Sequence, residues 1–176
     1  MNKYILSEIR KEHYDSIMDY RNQMLQSGDR LDGCSSLEQY EDMKKWHLNL
    51  KLFEKKESVP PGYSLGFEYV YLDGDEVVGM INIRPDALDH PYLKKYGGHI
   101  GYSVKPSRRK NGVASNMLKD ALKLCKEKYG LQKVLITCKE DNEGSRKVIM
   151  NNGGVFEGKI SYPPEDTMIE RYWISL

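Results

Sequence analysis

The chain has little cysteine and no long apolar run. Its 176 residues include only three cysteines, an odd number without the close spacing of a metal site. We therefore expect neither a disulfide framework nor a bound metal, and we predict that Cys125 and Cys138, which lie in apolar stretches, are core thiols. No segment reaches the roughly 20 apolar residues of a membrane span, and the start, MNKYILSEIRKEH, lacks a signal-peptide core. These absences predict a cytoplasmic protein without a membrane partner.

Net charge is also nearly absent. The 27 basic and 26 acidic residues leave a formal charge of +1 at pH 7, whereas a dedicated nucleic-acid binder usually carries a basic excess on one face. The short basic run KPSRRK, residues 105–110, is a local exception, but we predict no nucleic-acid partner. The length fits one domain, residues 1–176, and we find no repeat or low-complexity segment.

A strand, a basic turn and a helix follow one another in the middle of the chain. Residues 99–105 are predicted to form a strand, and apolar residues recur from Val113 at intervals of three and four, which predicts a helix with one buried face. The turn between them, RRKNGVA, contains Gly112 and three cations. Unpaired N–H groups and a positive helix dipole at such a position favour a bound phosphate or pyrophosphate. The alternative is a solvated basic loop.

Two common phosphate motifs do not fit this turn. A Walker A loop needs Gly, four residues, then Gly-Lys-Ser/Thr, and the dinucleotide fingerprint needs three spaced glycines. The turn instead resembles the acyl-CoA loop of the GNAT superfamily of N-acyltransferases: Gln or Arg, two residues, Gly, one residue, then Gly or Ala. Arg109, Gly112 and Ala114 match each specified position.

The resemblance continues downstream. The predicted strand KVLITCK, residues 133–139, precedes Asn142 and Ser145 and a short helix closed by glycine, which is similar to the next motif of the superfamily. The likeness covers residues 64–176 and, more narrowly, resembles a poorly characterised bacterial branch of predicted acetyltransferases.

The resemblance implies an α/β (α+β) GNAT fold, with a mixed, mostly antiparallel sheet of about seven strands flanked by helices on both faces. The pattern along the chain fits this fold, with Asp73-Gly74 as a hairpin signal. The predicted strands are residues 4–9, 64–72, 76–84, 99–105, 133–139, 155–162 and 168–175, and the predicted helices are residues 12–26 and 37–53, the one from 113 and a short one ending near 152.

The resemblance also implies acetyl-CoA as the acyl donor, with no metal. The backbone N–H near Val104 would polarise the thioester carbonyl, and the turn would hold the pyrophosphate. The residues implied to bind the donor are Tyr102, Ser103, Val104, Arg109, Lys110, Asn111, Gly112, Val113, Ala114, Asn142 and Ser145.

The proton chemistry departs from the family pattern. Where many relatives have a Glu that draws a proton from the amine, this chain has His99, which could serve as the base or be hydrogen-bonded within the sheet. Glu68 is a second candidate base, the alternative being an exposed strand glutamate. Ile149 stands where relatives often have a Tyr acid, so Tyr102, Tyr162 or water would replace it, or the thiolate would leave unassisted.

We therefore expect an acetyl-CoA-dependent N-acetyltransferase that acts by direct transfer to a primary amine in a ternary complex. A non-catalytic acyl-CoA-binding sensor is the alternative. The acceptor is a small-molecule or peptide amine, and a homodimer stays open. The residues expected to border the acceptor are mostly acidic and would attract a cation: Asp29, Asp32, Glu38, Glu41, Asp42, Asn82, Arg84, Asp86, Glu165 and Asp166.

Overall fold

A computed structural model describes residues 4–176. Within them lie seven strands and four α-helices. The strands are β1 (Tyr4–Glu8), β2 (Phe67–Asp73), β3 (Glu76–Ile83), β4 (Ile100–Val104), β5 (Lys133–Lys139), β6 (Val155–Tyr162) and β7 (Thr167–Ser175). The α-helices are α1 (Tyr14–Gln26), α2 (Met43–Phe53), α3 (Val113–Glu127) and α4 (Glu143–Asn151).

The strands form two antiparallel sheets. The order is β1-β2-β3-β4 in the first sheet and β5-β7-β6 in the second. The predicted GNAT fold, with a mostly antiparallel sheet of about seven strands between helices, is confirmed, with the refinement that the described strands form two separate ladders in which every pair is antiparallel. None of the helices in residues 4–176 is long and apolar enough to cross a membrane.

Each face of the first sheet has its own core. Ile81 of β3 faces a core built with Met117 of α3, whereas its neighbour Met80 faces a core built with Trp46 of α2 and Tyr20 of α1. Side chains alternate along a strand, so consecutive residues go to opposite faces. Fully burying one large apolar side chain stabilises the fold by about 1.5–3 kcal/mol. Helices therefore cover both faces, as the sequence predicted.

The predicted helix over residues 37–53 is wrong in its first part. A single 3-10 turn covers Leu37–Gln39, Tyr40 is extended, and the α-helix begins only at Met43. The cause is Asp42, whose carboxylate accepts hydrogen bonds from the N–H groups of Lys44 and Lys45 and so caps a new helix.

Candidate active site

The two sheets meet at one point and then separate. The N–H of His99 donates to the Leu135 carbonyl at 2.8 Å, and the N–H of Leu135 donates to Nδ1 of His99 at 2.9 Å. In residues 4–176 no other backbone hydrogen bond joins β4 to β5. Beyond this contact the two strands leave a gap between them, which we call the wedge.

One edge of β4 faces the wedge with unpaired backbone. Lys105 donates its N–H to Val78 and Arg84 donates its N–H to His99, so these positions point to β3. Because alternate residues of an antiparallel strand point to opposite sides, the N–H groups of Tyr102 and Val104 point into the wedge. The Tyr102 hydroxyl crosses the wedge to Ser145 Oγ, 2.8 Å away at the start of α4. Burial raises the pKa of Tyr102, so the phenol stays protonated.

The turn before α3 presents backbone N–H groups to solvent. Lys110 and Gly112 have φ of +61° and +75°, and residues 110–112 are exposed. Among residues 4–176, the N–H groups of residues 110–115 donate no hydrogen bond of normal geometry. Consecutive amides at a helix start, with one residue in the left-handed conformation, are the geometry that binds phosphate.

The two arginines of the turn have other partners. Both Nη atoms of Arg109 contact the Asp29 carboxylate at 3.1 Å, and Nε donates to the Val104 carbonyl, also at 3.1 Å. Arg108 pairs with Asp73 at 3.2 Å and with Glu76. In the described chain Lys110 is the cation of the turn without an ion pair. The backbone, rather than three cationic side chains, is therefore the main feature available to an anion.

His99 is held inside the sheet. It is 2% exposed, and since Nδ1 accepts a hydrogen bond from Leu135, the neutral ring carries its proton on Nε2. Burial lowers the pKa of His99 below its ordinary value. A ring in this state has no lone pair to offer an amine, so the geometry favours the sheet-bonded alternative over the general base.

Glu68 is not the exposed strand glutamate that the sequence allowed. It is 7% exposed, and its Oε2 accepts hydrogen bonds from Ser35 Oγ at 2.6 Å and from Asn82 Nδ2 at 3.2 Å. Its Oε1 is buried without a partner in the described residues. Burial raises the pKa of Glu68 to about 8. A carboxyl group in this range can take up and release protons near neutral pH.

Other predicted residues have mainly structural contacts. Asn142 Oδ1 accepts the Ser145 N–H and caps α4. The Ser103 hydroxyl accepts a hydrogen bond from Tyr20 and donates to the Asp32 carbonyl, so it faces α1 rather than the wedge. Ile149 is buried in the core and cannot donate a proton.

Part of the acidic border is neutralised. Asp29 is paired with Arg109, and Glu165 is paired with Arg30 at 2.8 Å and with Lys139. Among residues 4–176, no group of His, Cys, Asp and Glu side chains is arranged to hold a metal ion. Asp29, Asp32 and Glu165 therefore lend little support to the attraction for cations that the sequence suggested, whereas the other border carboxylates form no ion pair among the described residues.

Residues 28–36, which we call the covering loop, lie directly on β4. Gly33 has φ of +70°, and a Cβ there would be 2.1 Å from the Gly101 carbonyl oxygen. Ser35 of this loop bonds Glu68, a contact with no signal in the sequence. The loop thus connects the β4 backbone to the candidate proton acceptor.

We expect Gly33→Ala to displace the covering loop and to lower the free energy of unfolding by more than the roughly 1–2 kcal/mol of left-handed strain alone. Urea unfolding measures the loss. Gly28→Ala is the matched control, because its φ is +71° and no atom lies within 4 Å of the new Cβ. Equal losses in both variants would contradict the close contact with β4.

A split pair of sheets, with an N–H-lined edge leading to a helix start whose N–H groups are exposed, is the arrangement that the resemblance to the acyl-CoA-dependent acyltransferases implied. The family model for the acetyltransferase (GNAT) domain matches residues 4–155. The chain therefore belongs to the GNAT acetyltransferase family and is by class an N-acetyltransferase. A search of curated proteins found no match.

Solved structures share the fold at low sequence identity. A RimL ribosomal L7/L12 alpha-N-protein acetyltransferase bound to coenzyme A is 18% identical, with a TM-score of 0.69, over 100% of this chain and 96% of that one. A ribosomal-protein-S5-alanine acetyltransferase from Vibrio fischeri is 17% identical, with a TM-score of 0.70, over 99% and 94%. A spermidine N-acetyltransferase SpeG chimera from Vibrio cholerae and hSSAT is 13% identical, with a TM-score of 0.65, over 99% and 96%.

Proposed function

We propose that this protein transfers an acetyl group from acetyl-CoA directly to a primary amine, with donor and acceptor bound together. The observation that carries the proposal is the wedge, whose β4 edge leads to the unpaired N–H groups of residues 110–115. A long donor with an amide-rich arm and a pyrophosphate fits that sequence of contacts.

The donor would lie along β4. The pyrophosphate would rest on the backbone of residues 110–115 with Lys110 beside it, and the arm would follow the edge of β4. The N–H of Val104 would face the thioester carbonyl, where it can stabilise negative charge on the oxygen. Arg109 would fix the turn against Val104 and Asp29 rather than bind phosphate itself.

Glu68 would be the final acceptor of the amine proton. Its carboxyl group leans onto Asn82 of β3, one strand away from β4. Adjacent strands are about 4.8 Å apart, so at least one water must connect Glu68 to an amine at the wedge.

The amine attacks the thioester carbon, the carbon–sulfur bond breaks, and the thiolate takes a proton. Tyr102, whose hydroxyl lies at the wedge, is the proposed donor of that proton on the ground of its position.

His99→Asn separates the two candidate bases. The Asn Oδ1 can replace Nδ1 as acceptor for Leu135, so we expect turnover and its inflection near neutral pH to persist.

The pKa of His99 is lower in the folded protein than its ordinary 6.5, so its contribution to stability is present above 6.5 and is lost as pH falls through the folded pKa. In the variant the acid-side fall of the unfolding free energy should be shallower, and the part that remains should come from His47, whose pKa burial also lowers, and from carboxylates such as Asp29 and Glu76, whose pKa values their cationic partners lower. Loss of the turnover inflection would assign the base to His99.

The acceptor is the open part of the proposal. Solved structures of this fold are titled as acetyltransferases of ribosomal proteins and of spermidine, so protein termini and polyamines are both acted on by proteins of this fold. We propose a small-molecule or peptide amine for this chain.

Two measurements test the proposal in sequence. Calorimetric titration with acetyl-CoA should show binding, and no binding at high micromolar donor would contradict the donor site. Thiol release with a panel of amines should then show turnover. Binding without turnover on any amine would favour the non-catalytic sensor instead.

A further inference from the structure

Arg84 is a cation next to the proposed reaction site that forms no direct ion pair within the described residues, and the carboxylates of Glu68 and Asp32 act on it only from a greater distance. It follows β3 on the face covered by α1 and α2, and its Nη2 donates to the Gly97 carbonyl at 3.1 Å. The same Nη2 is 3.2 Å from where a Cβ of Gly101 would lie, so the guanidinium rests on β4. Among residues 4–176 no carboxylate forms an ion pair with it, and its Nε is buried with no hydrogen-bond partner.

Arg84 carries one of three buried side-chain atoms that have no hydrogen-bond partner among the described residues. Oε1 of Glu68 and Oδ1 of Asp86 are buried without partners in the described chain, as is Nε of Arg84. Buried polar groups are nearly always hydrogen-bonded, and buried charges are nearly always paired. Arg84 is itself partly exposed, so a molecule from solvent can reach it. The Nη groups of Arg84, rather than its buried Nε, are therefore the part of the side chain that can donate to an oxygen of a ligand.

We propose that Arg84 binds an oxygen of the acceptor, and that the acceptor is an α-aminoacyl compound: a primary amine whose neighbouring carbon bears a carbonyl or carboxylate. The inference rests on the proposed acetyl transfer and specifies its substrate class. Gly101 beneath Arg84 is followed by Tyr102, whose backbone faces the wedge. From standard bond lengths, the nitrogen and oxygen of an aminoacyl group are roughly 3 Å apart. The amine can thus reach the wedge while the oxygen stays on Arg84.

The same residue disfavours polyamines. A second ammonium group close to the first would meet the guanidinium, and Asp32, a carboxylate whose charge acts on Arg84, is already paired with Arg30 at 3.4 Å. Burial lowers the pKa of Arg84 to about 10, which still leaves it charged at neutral pH. A guanidinium instead provides two parallel donors that suit a carbonyl or carboxylate oxygen.

The test compares three amines on the wild type, Arg84→Met and Arg84→Lys. Alaninamide carries the aminoacyl oxygen, sec-butylamine has the same skeleton without it, and 1,4-diaminobutane carries a second cation. Using the ratio of kcat/KM between variant and wild type cancels the different basicities of the probes. We expect Arg84→Met to lower kcat/KM for alaninamide by at least about tenfold, the loss of a charged hydrogen bond. The value for sec-butylamine should stay within about twofold, and that for diaminobutane should rise. Arg84→Lys should still reject diaminobutane.

Several outcomes would overturn the inference. Equal changes in kcat/KM with all three amines would mean that Arg84 has a structural role only. If the wild type acetylates sec-butylamine or diaminobutane but not alaninamide, the proposed acetyl transfer stands and the α-aminoacyl substrate class is wrong. A binding experiment on the wild type depends neither on turnover nor on the folding of a variant. N-acetylalaninamide, the expected product, should bind the CoA-saturated wild type in calorimetry. Absence of that binding would contradict the inference. Failure to bind acetyl-CoA at all would instead contradict the proposed function.

Discussion

Gly112→Val is expected to abolish detectable acetyl-CoA binding while the protein stays folded. Gly112 has φ of +75°, and the nearest atom to a Cβ there is Asn116 Nδ2 at 3.7 Å, so the protein itself has room for a side chain. The added isopropyl group would occupy the space in front of the N–H groups of residues 110–115. A β-branched residue also resists positive φ and would tilt those amides away from a common anion. Losing several charge-assisted hydrogen bonds at about 1.5–3 kcal/mol each should weaken binding by at least about a hundredfold in calorimetry.

The matched control for this prediction lies at the other end of the same helix. Gly130 has φ of +67° and no atom within 4 Å of a Cβ, so Gly130→Val introduces comparable backbone strain away from the turn. Both variants should lose similar unfolding free energy in urea, and only Gly112→Val should lose donor affinity. Similar affinity losses in the two variants would mean that helix strain, not the anion site, controls binding.

Patterns that repeat within one element could be predicted from the sequence. The strands β5 (Lys133–Lys139) and β6 (Val155–Tyr162) have the predicted bounds, and α3 begins at the predicted Val113. Their apolar periodicity and flanking turn residues are local, and local signals do not depend on the rest of the fold. The family resemblance likewise rested on short motifs that are continuous in the chain.

Contacts between distant segments could not be predicted. Arg109 and Asp29 are 80 residues apart, and Ser35 and Glu68 are 33 apart. Nothing in the composition of either segment indicates that the pairs meet, so three cations looked available to phosphate and Glu68 looked exposed. The role of His99 was open for the same reason, because its partner is a backbone N–H of β5 that has no sequence signature.

Glu68→Gln should reduce turnover by about a hundredfold or more, in the range of a lost general base, with acetyl-CoA affinity unchanged. The glutamine can keep the hydrogen bonds to Ser35 and Asn82 but cannot accept a proton. Since the pKa of Glu68 is raised to about 8, kcat/KM of the wild type should increase with pH up to that region, and the variant should lack this increase. Glu54→Gln is the control, because Glu54 and Glu68 line the same cavity of about 100 Å³. Comparable losses in both variants, or an unchanged pH profile in Glu68→Gln, would contradict the assignment.

The pH dependence of the free energy of unfolding should reveal the titration of Glu68 without any measurement of turnover. The pKa of Glu68 lies above its ordinary value of 4.5 in the folded state, so the folded protein holds this proton more tightly than the unfolded chain does. The resulting stabilisation is complete below pH 4.5 and is lost as pH rises through about 8. Glu68→Gln removes that titration, so the free energy of unfolding of the variant should fall less between these limits than that of the wild type. If the stability of the wild type does not decrease over this interval, the carboxyl group is already ionised in the folded state. An ionised Glu68 would hold the protonated amine as an ion-pair partner and would not be the group whose titration near pH 8 controls turnover.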